Sequence, residues 1–161
     1  MEQILIDSDG NILEPIDNIS ESRLMEMPTH THCLAVVKLD NDYLLGWNKW
    51  RGRYEIFGGC AENGETPREC ISRECYEELG IKGDFSYIGA MNLTLQPDWF
   101  CKETRTEHGG LYGIHVKGLR LDEITKGIND KEEILQLALY RDIKDKEPIA
   151  EIDEVLLKYV L

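Results

Sequence analysis

No stretch of this sequence stays apolar for long enough to cross a bilayer as a helix. The N-terminus, Met-Glu-Gln-Ile-Leu-Ile-Asp, lacks the basic start and apolar core of a signal peptide. Basic residues are scarce: 18 Lys and Arg stand against 31 Asp and Glu, a formal net charge of -13. That shortage argues against nucleic acid as a polyanionic partner and against an anionic membrane surface. A small phosphorylated ligand stays open, because a bound metal reverses the local sign. A paired cysteine framework is also missing. The five cysteines are odd in number and scattered, which predicts reduced thiols in a cytoplasmic protein. There is no internal repeat, linker or break in composition. The 161 residues predict one domain, 1–161, with a full core.

What is present begins with short strands. Gln3–Asp7 and Asn11–Glu14 flank Ser8-Asp9-Gly10, whose Asp-Gly favours a tight turn, so 1–28 reads as a hairpin extension. Residues 16–28 read as polar and irregular. A strand over 31–39 turns at Asp40-Asn41-Asp42 into a second, Tyr43–Trp47. The basic loop Asn48–Arg53 follows, then a short strand Tyr54–Phe57 that leads into Gly58-Gly59. Further strands are expected near 84–95 and 110–119, with Gly109-Gly110 as the turn before the second. Ile134–Tyr140 reads as a strand, although 132–139 also fits a helix. After Pro148, the apolar residues Ile149, Ile152, Val155, Leu156, Tyr159 and Val160 recur at helical spacing. Strands with one embedded helix and one terminal helix make an α+β domain.

The densest chemistry lies between Gly59 and Ile81. Thr66 suits an N-cap, Pro67 a first helical position, and Gly80 a stop after Leu79. On that helix Glu74 and Glu78 stack one turn apart with Glu77 beside them, while Ile71, Cys75 and Leu79 make a packing stripe. Like charges so placed repel, and an Mg²⁺ or Mn²⁺ ion turns the repulsion into coordination. Arg73 is set to hold Glu65 by a bidentate pair. Gly58 and Gly59 let a main-chain carbonyl approach the metal. A solvated acidic face is the plainer alternative. It leaves Glu65, Arg73, the two glycines and the stop at Gly80 unexplained.

The segment resembles the Nudix box, Gly-x5-Glu-x7-Arg-Glu-U-x-Glu-Glu-x-Gly-U, with U a bulky aliphatic. Gly59, Glu65, Arg73, Glu74, Glu77, Glu78, Gly80 and Ile81 match over 23 positions. Cys75 departs from the pattern at the first U, and Phe57 stands where many members have proline before the paired glycines. The resemblance implies the Nudix fold, a mixed sheet sandwiched between helices. It implies metal-dependent cleavage of a nucleoside diphosphate linked to another group, with Mg²⁺ or Mn²⁺ as cofactor. It makes Glu74, Glu77 and Glu78 metal ligands, one of them also the base. Glu65 orients, Arg73 braces, and the Gly58 or Gly59 carbonyl ligates. One further carboxylate is expected downstream. Glu133, with Glu132, precedes a strand as that residue usually does, and Glu103 and Glu107 are rivals.

Around the box, Arg51, Arg53 and Trp50 are expected on the substrate, the arginines on phosphates and the aromatic on a base. Phe57 is expected on the pocket wall. Solvent exposure is the plain alternative for Lys49, and core packing for Trp47. His30 and His32 share a strand face without partners at zinc spacing, so a structural role is expected. Cys60 reads as a bystander thiol. Trp99 and Phe100, after Pro97, suit a pocket lid or a dimer contact. The leading expectation is hydrolysis of a nucleoside triphosphate, normal or oxidised. An ADP-ribose or nucleoside-diphosphate-sugar pyrophosphatase is the alternative, since some such Nudix enzymes carry a proline near the position of Pro97. A nucleotide-sensing module and an isoprenoid diphosphate isomerase are further readings. The intact box disfavours both.

Overall fold

A computed structural model describes residues 3–160. The chain runs β1 (Leu5–Ile6), β2 (Ile12–Ile16), α1 (Glu21–Glu26), β3 (His30–Leu39) and β4 (Asp42–Asn48). It continues through β5 (Arg53–Glu55), β6 (Phe57–Cys60), α2 (Pro67–Leu79), β7 (Ser86–Leu95) and β8 (Arg105–Val116). It closes with α3 (Leu121–Lys126), β9 (Ile134–Leu139), α4 (Tyr140–Ile143), α5 (Glu151–Leu156) and a 3-10 turn, Leu157–Tyr159.

Strand β3 organises the sheet. Cys33, Ala35, Val37 and Leu39 face α2, while Val36 joins the opposite core beneath α4 and α5. A strand buried on both faces needs apolar residues at odd and even positions alike, and β3 has them. One edge of β3 pairs in parallel with β8, and the other pairings between the named strands are antiparallel. The other edge is divided. Val37–Leu39 pair with β4, and His32–Ala35 pair with β6. Beyond β8 lie β7, β2 and β1, and β4 carries both β5 and β9. The result is the expected mixed sheet between helices, with the hairpin β1–β2 extending it through β7.

Several local expectations are corrected. The stretch 16–28 holds α1, capped by Ser20, whose hydroxyl accepts from the Arg23 N–H. Gly109 and Gly110 lie inside β8, not in a turn. Each makes room for a neighbour. A Cβ on Gly109 would sit 2.7 Å from the His32 carbonyl oxygen, and one on Gly110 3.0 Å from the buried Leu24 of α1. The single strand expected over 54–57 is two. Tyr54 pairs with β4, the chain breaks at Ile56, and Phe57 begins the pairing with β3. The Ile56 N–H, freed by the break, donates to Asp153. Residues 134–139 form a strand against β4 rather than a helix. The terminal helix is shorter than its apolar pattern and tightens into the 3-10 turn.

Candidate active site

Helix α2 is built as its residues dictate. The Thr66 hydroxyl accepts from Glu69 N–H and the Glu69 carboxylate accepts from Thr66 N–H, both at 3.1 Å. This reciprocal pair satisfies two of the helix's orphan donors. Gly80 ends the helix at φ 69°, the left-handed region where glycine carries no steric cost. Cys70, Ile71, Cys75 and Leu79 are buried against the sheet. Cys75, the departure from the box pattern, therefore packs as a small apolar side chain.

The acidic arc lies beside that stripe, and Arg73 ties it together. Its Nε and Nη2 donate to Glu65 at 2.7 and 3.0 Å, the expected bidentate pair. Nη1 donates to Glu74 at 2.8 Å and to Glu77 at 3.2 Å, and Nη2 also reaches the Cys60 carbonyl. The Arg73 hydrogen bonds hold the Glu65 carboxyl down at about 2, below its ordinary 4.5. Burial pushes Glu74 the other way, with Arg73 opposing.

Glu78 differs from its neighbours. It is 4% exposed, and among the described residues its one hydrogen bond comes from the Gly58 N–H at 3.4 Å. Burial raises its pKa strongly, and the facing charges of Glu133 and Glu74 raise it further. A buried carboxylate facing two others, with no Lys, Arg or His paired to it among the described residues, is electrostatically incomplete. That is the donor chemistry a hard divalent cation satisfies, so the residues fit one. As the side chains stand, Arg73 draws Glu74 and Glu77 to itself, and no three donor side chains among the described residues meet at a single point.

The paired glycines have distinct structural reasons. Gly58 lies at φ 141°, and a Cβ there would fall 2.0 Å from the Cys33 carbonyl oxygen. A Cβ on Gly59 would fall 2.7–2.8 Å from the carboxylate of Glu74. The missing side chain is thus the space that Glu74 fills.

Of the four downstream glutamates, the fold brings Glu133 to the arc. Its carboxylate accepts from Asn48 Nδ2 at 3.2 Å. Its loop is fastened to the end of α2: Asp130 N–H donates to the Glu77 carbonyl and the Asn129 amide to the Tyr76 carbonyl. Glu132 points out, 3.9 Å from Lys49, and Glu103 is exposed. Glu107 is engaged by His32 and Arg105, each at 3.5 Å.

The basic loop is less free than expected. Arg51 Nη1 donates to Glu55 at 2.9 Å, and Arg53 lies 3.6 Å from the same carboxylate. Trp50 is exposed, as a base-stacking residue has to be. Phe57 is corrected: it is fully buried in the core beneath α2, where a substrate does not reach it. Trp47 packs edge-on against Tyr54 at 5.1 Å, in line with a core role. Asn48 and Asp130 belong to no motif of the sequence, yet both bear on the site. Asn48 is 2% exposed, and its Oδ1 accepts the N–H groups of Trp50 and Arg51 while its amide holds Glu133. An asparagine at a strand end before a turn is the signal that points to it. Two surface clefts, of about 290 and 510 Å³, open elsewhere and contain no residue of the Gly59–Ile81 segment.

The family model for the NUDIX domain matches residues 29–157. The chain belongs to the Nudix family. Membership makes it a hydrolase of phosphorus-containing anhydrides. The Bacillus subtilis pyrophosphohydrolase BsRppH superposes with a TM-score of 0.66 at 17% identity, covering 98% of this chain and 94% of that one. The MutT NUDIX hydrolase from Burkholderia pseudomallei gives 0.60 at 20% identity, over 81% of this chain and 96% of that one. A NUDIX hydrolase from Nitrosomonas europaea gives 0.56 at 20% identity, over 83% and 88%. At these identities the likeness establishes the fold alone. No curated protein matches the sequence. No described helix is long and apolar enough to cross a membrane.

Proposed function

We propose that this Nudix hydrolase cleaves a phosphoanhydride bond of a nucleoside triphosphate, normal or oxidised, with Mg²⁺ or Mn²⁺ as its cofactor. The observation that carries the reading is the buried carboxylate of Glu78, faced by those of Glu74 and Glu133. Glu74, Glu77, Glu78 and Glu133 would hold the ion, with a main-chain carbonyl of Gly58 or Gly59. When bound, a hard divalent cation neutralises the triphosphate and acidifies a coordinated water.

The chain's own residues supply the rest. Arg73 and Glu65 pin the box loop to α2, so the carboxylates keep their spacing while substrate enters. Glu77 is 53% exposed at its side chain and uses only Oε2 on Arg73. Its Oε1 would take the proton of the attacking water. The water oxygen then bonds to phosphorus, and the bridging P–O bond breaks with its electron pair leaving on the departing phosphate or pyrophosphate. Arg51 holds Glu55 through Nη1, and its Nη2 would meet a substrate phosphate. Arg53, shared between Glu55 and Asp9, supports that strand edge and adds positive charge near the phosphates.

The test is release of phosphate or pyrophosphate across a panel of nucleoside triphosphates, their oxidised forms, ADP-ribose and nucleoside-diphosphate sugars, with and without Mg²⁺. Metal-dependent turnover of a triphosphate supports the reading. Turnover of ADP-ribose or a nucleotide sugar alone replaces the substrate class, and inertness toward the whole panel with tight binding of one member points to a sensor.

A further inference from the structure

Among the exposed large apolar residues, three meet one another. Trp50, Trp99 and Phe100 are 52%, 58% and 68% exposed, and none belongs to either core. They come from two separate loops, the turn after β4 and the segment between β7 and β8. The Trp50 and Trp99 rings lie 6.0 Å apart at 44°, and Trp99 and Phe100 lie 4.0 Å apart at 32°. The Trp50 and Trp99 planes are inclined and not stacked on each other, while Phe100 packs on Trp99 and Lys49 sits over Trp50, so each indole has at most one face left for a ligand. Large aromatic side chains gain by burial, so three left out together is a cost the fold does not relieve.

Both loops are built to hold the rings. Asn48 Oδ1 fixes the Trp50 N–H at 2.9 Å. Asp98 Oδ1 accepts the Phe100 and Cys101 N–H groups at 2.9 and 2.8 Å, and Arg105 lies 3.6 Å from the same carboxylate. The loop that carries Trp50 is also tied to Glu133. The Asn48 that holds Trp50 donates to Glu133, and the Lys49 N–H donates to the Glu133 carbonyl. Lys49 Nζ sits 5.0 Å over the Trp50 ring, a cation on one face of that indole that would also attract an anionic substrate.

We propose that Trp50, Trp99 and Phe100 form a stacking platform for the nucleobase of the substrate. The proposal rests on the nucleotide reading above and deepens it. The triphosphate lies on the carboxylate arc, and the base lies on the rings across Asn48. A platform that holds a base by its flat face accepts purines and pyrimidines alike, so it selects for a flat base and not for its edge.

The experiment compares the affinities of α,β-methylene GTP and inorganic tripolyphosphate by calorimetry, in the parent and in Trp99→Ala, Phe100→Ala and Trp50→Ala. Circular dichroism confirms folding, and Trp99→Phe serves where the alanine variant fails to fold. The expected result is that the nucleotide binds the parent more tightly than tripolyphosphate, and that Trp99→Ala weakens the nucleotide by roughly 5- to 150-fold. Tripolyphosphate affinity stays the same, and Trp99→Phe restores most of the loss. Equal affinity of the parent for both ligands overturns the platform, as does nucleotide affinity that survives all three alanine variants. Self-association that Trp99→Ala abolishes, with nucleotide affinity intact, assigns the rings to a second copy of the chain and also overturns it. Hydrolysis is decided separately by Glu78→Gln, which does not touch the rings.

Discussion

The side-chain amide of Asn48 donates to Glu133 at 3.2 Å, and the same residue's Oδ1 accepts from the backbone of Trp50 and Arg51. One buried asparagine therefore links the downstream carboxylate to the loop that carries the arginine and the aromatic. Asn48→Ala removes three hydrogen bonds and leaves two turn N–H groups short of a partner. The expected cost is about 1–3 kcal/mol of stability together with reduced turnover. Asn48→Asp keeps the acceptor for the turn but sets a negative charge on Glu133, so it is expected to spare stability and lower activity. Thermal unfolding and initial rates on the two variants check this split.

The two glycines of the box separate in the same way. Gly58→Ala places a Cβ on the Cys33 carbonyl at a φ that L residues rarely adopt, so loss of folding is expected. Gly59→Ala collides instead with the Glu74 carboxylate, a side chain that can rotate away. It is expected to remain folded with near-parent unfolding temperature and to lose most of its turnover. Soluble yield, melting and a rate assay distinguish the pair.

Arg73 sets the acid-side stability. The folded Glu65 carboxyl is held at about 2 against an ordinary 4.5. A lowered folded value means stability that is present above pH 4.5 and lost as pH falls toward 2. Glu65→Gln is expected to flatten the fall in melting temperature across that window, measured without added metal. Arg73→Lys, which cannot make the bidentate pair, is expected to lose about 1–3 kcal/mol at neutral pH. For a chain of this length that is a drop of very roughly 2–12 °C.

Much of this site is legible in the sequence because α2 carries its own instructions. Thr66, Pro67, Gly80 and the stripe of Ile71, Cys75 and Leu79 fix where the helix starts, stops and packs, and the positions of Glu74, Glu77 and Glu78 follow. Arg73 reaching Glu65 follows from charge and spacing. What spacing does not carry is long-range. That Asp130 fastens its loop to the Glu77 carbonyl depends on how β9 returns beside β4. The strand glycines Gly109 and Gly110 read as a turn because turns are where glycine is commonest, yet here they admit a carbonyl and a leucine from other elements. Phe57 looked like a pocket wall because it precedes the glycines, and it is buried because β6 joins β3 with that face toward α2. Helix α1 is short, and the Leu24 that anchors it lies in a polar stretch with too few apolar positions to show a period.

The central claim is that Glu78, with Glu74, Glu77 and Glu133, holds the divalent cation on which hydrolysis depends. The most direct measurement is the rate of triphosphate hydrolysis as a function of Mg²⁺ for the parent and for Glu78→Gln, with Glu103→Gln as an exposed control. The account predicts saturable Mg²⁺ dependence in the parent and in the control, and a rate in Glu78→Gln lower by about 100-fold or more. A Glu78→Gln curve that overlays the parent at every Mg²⁺ concentration would contradict it.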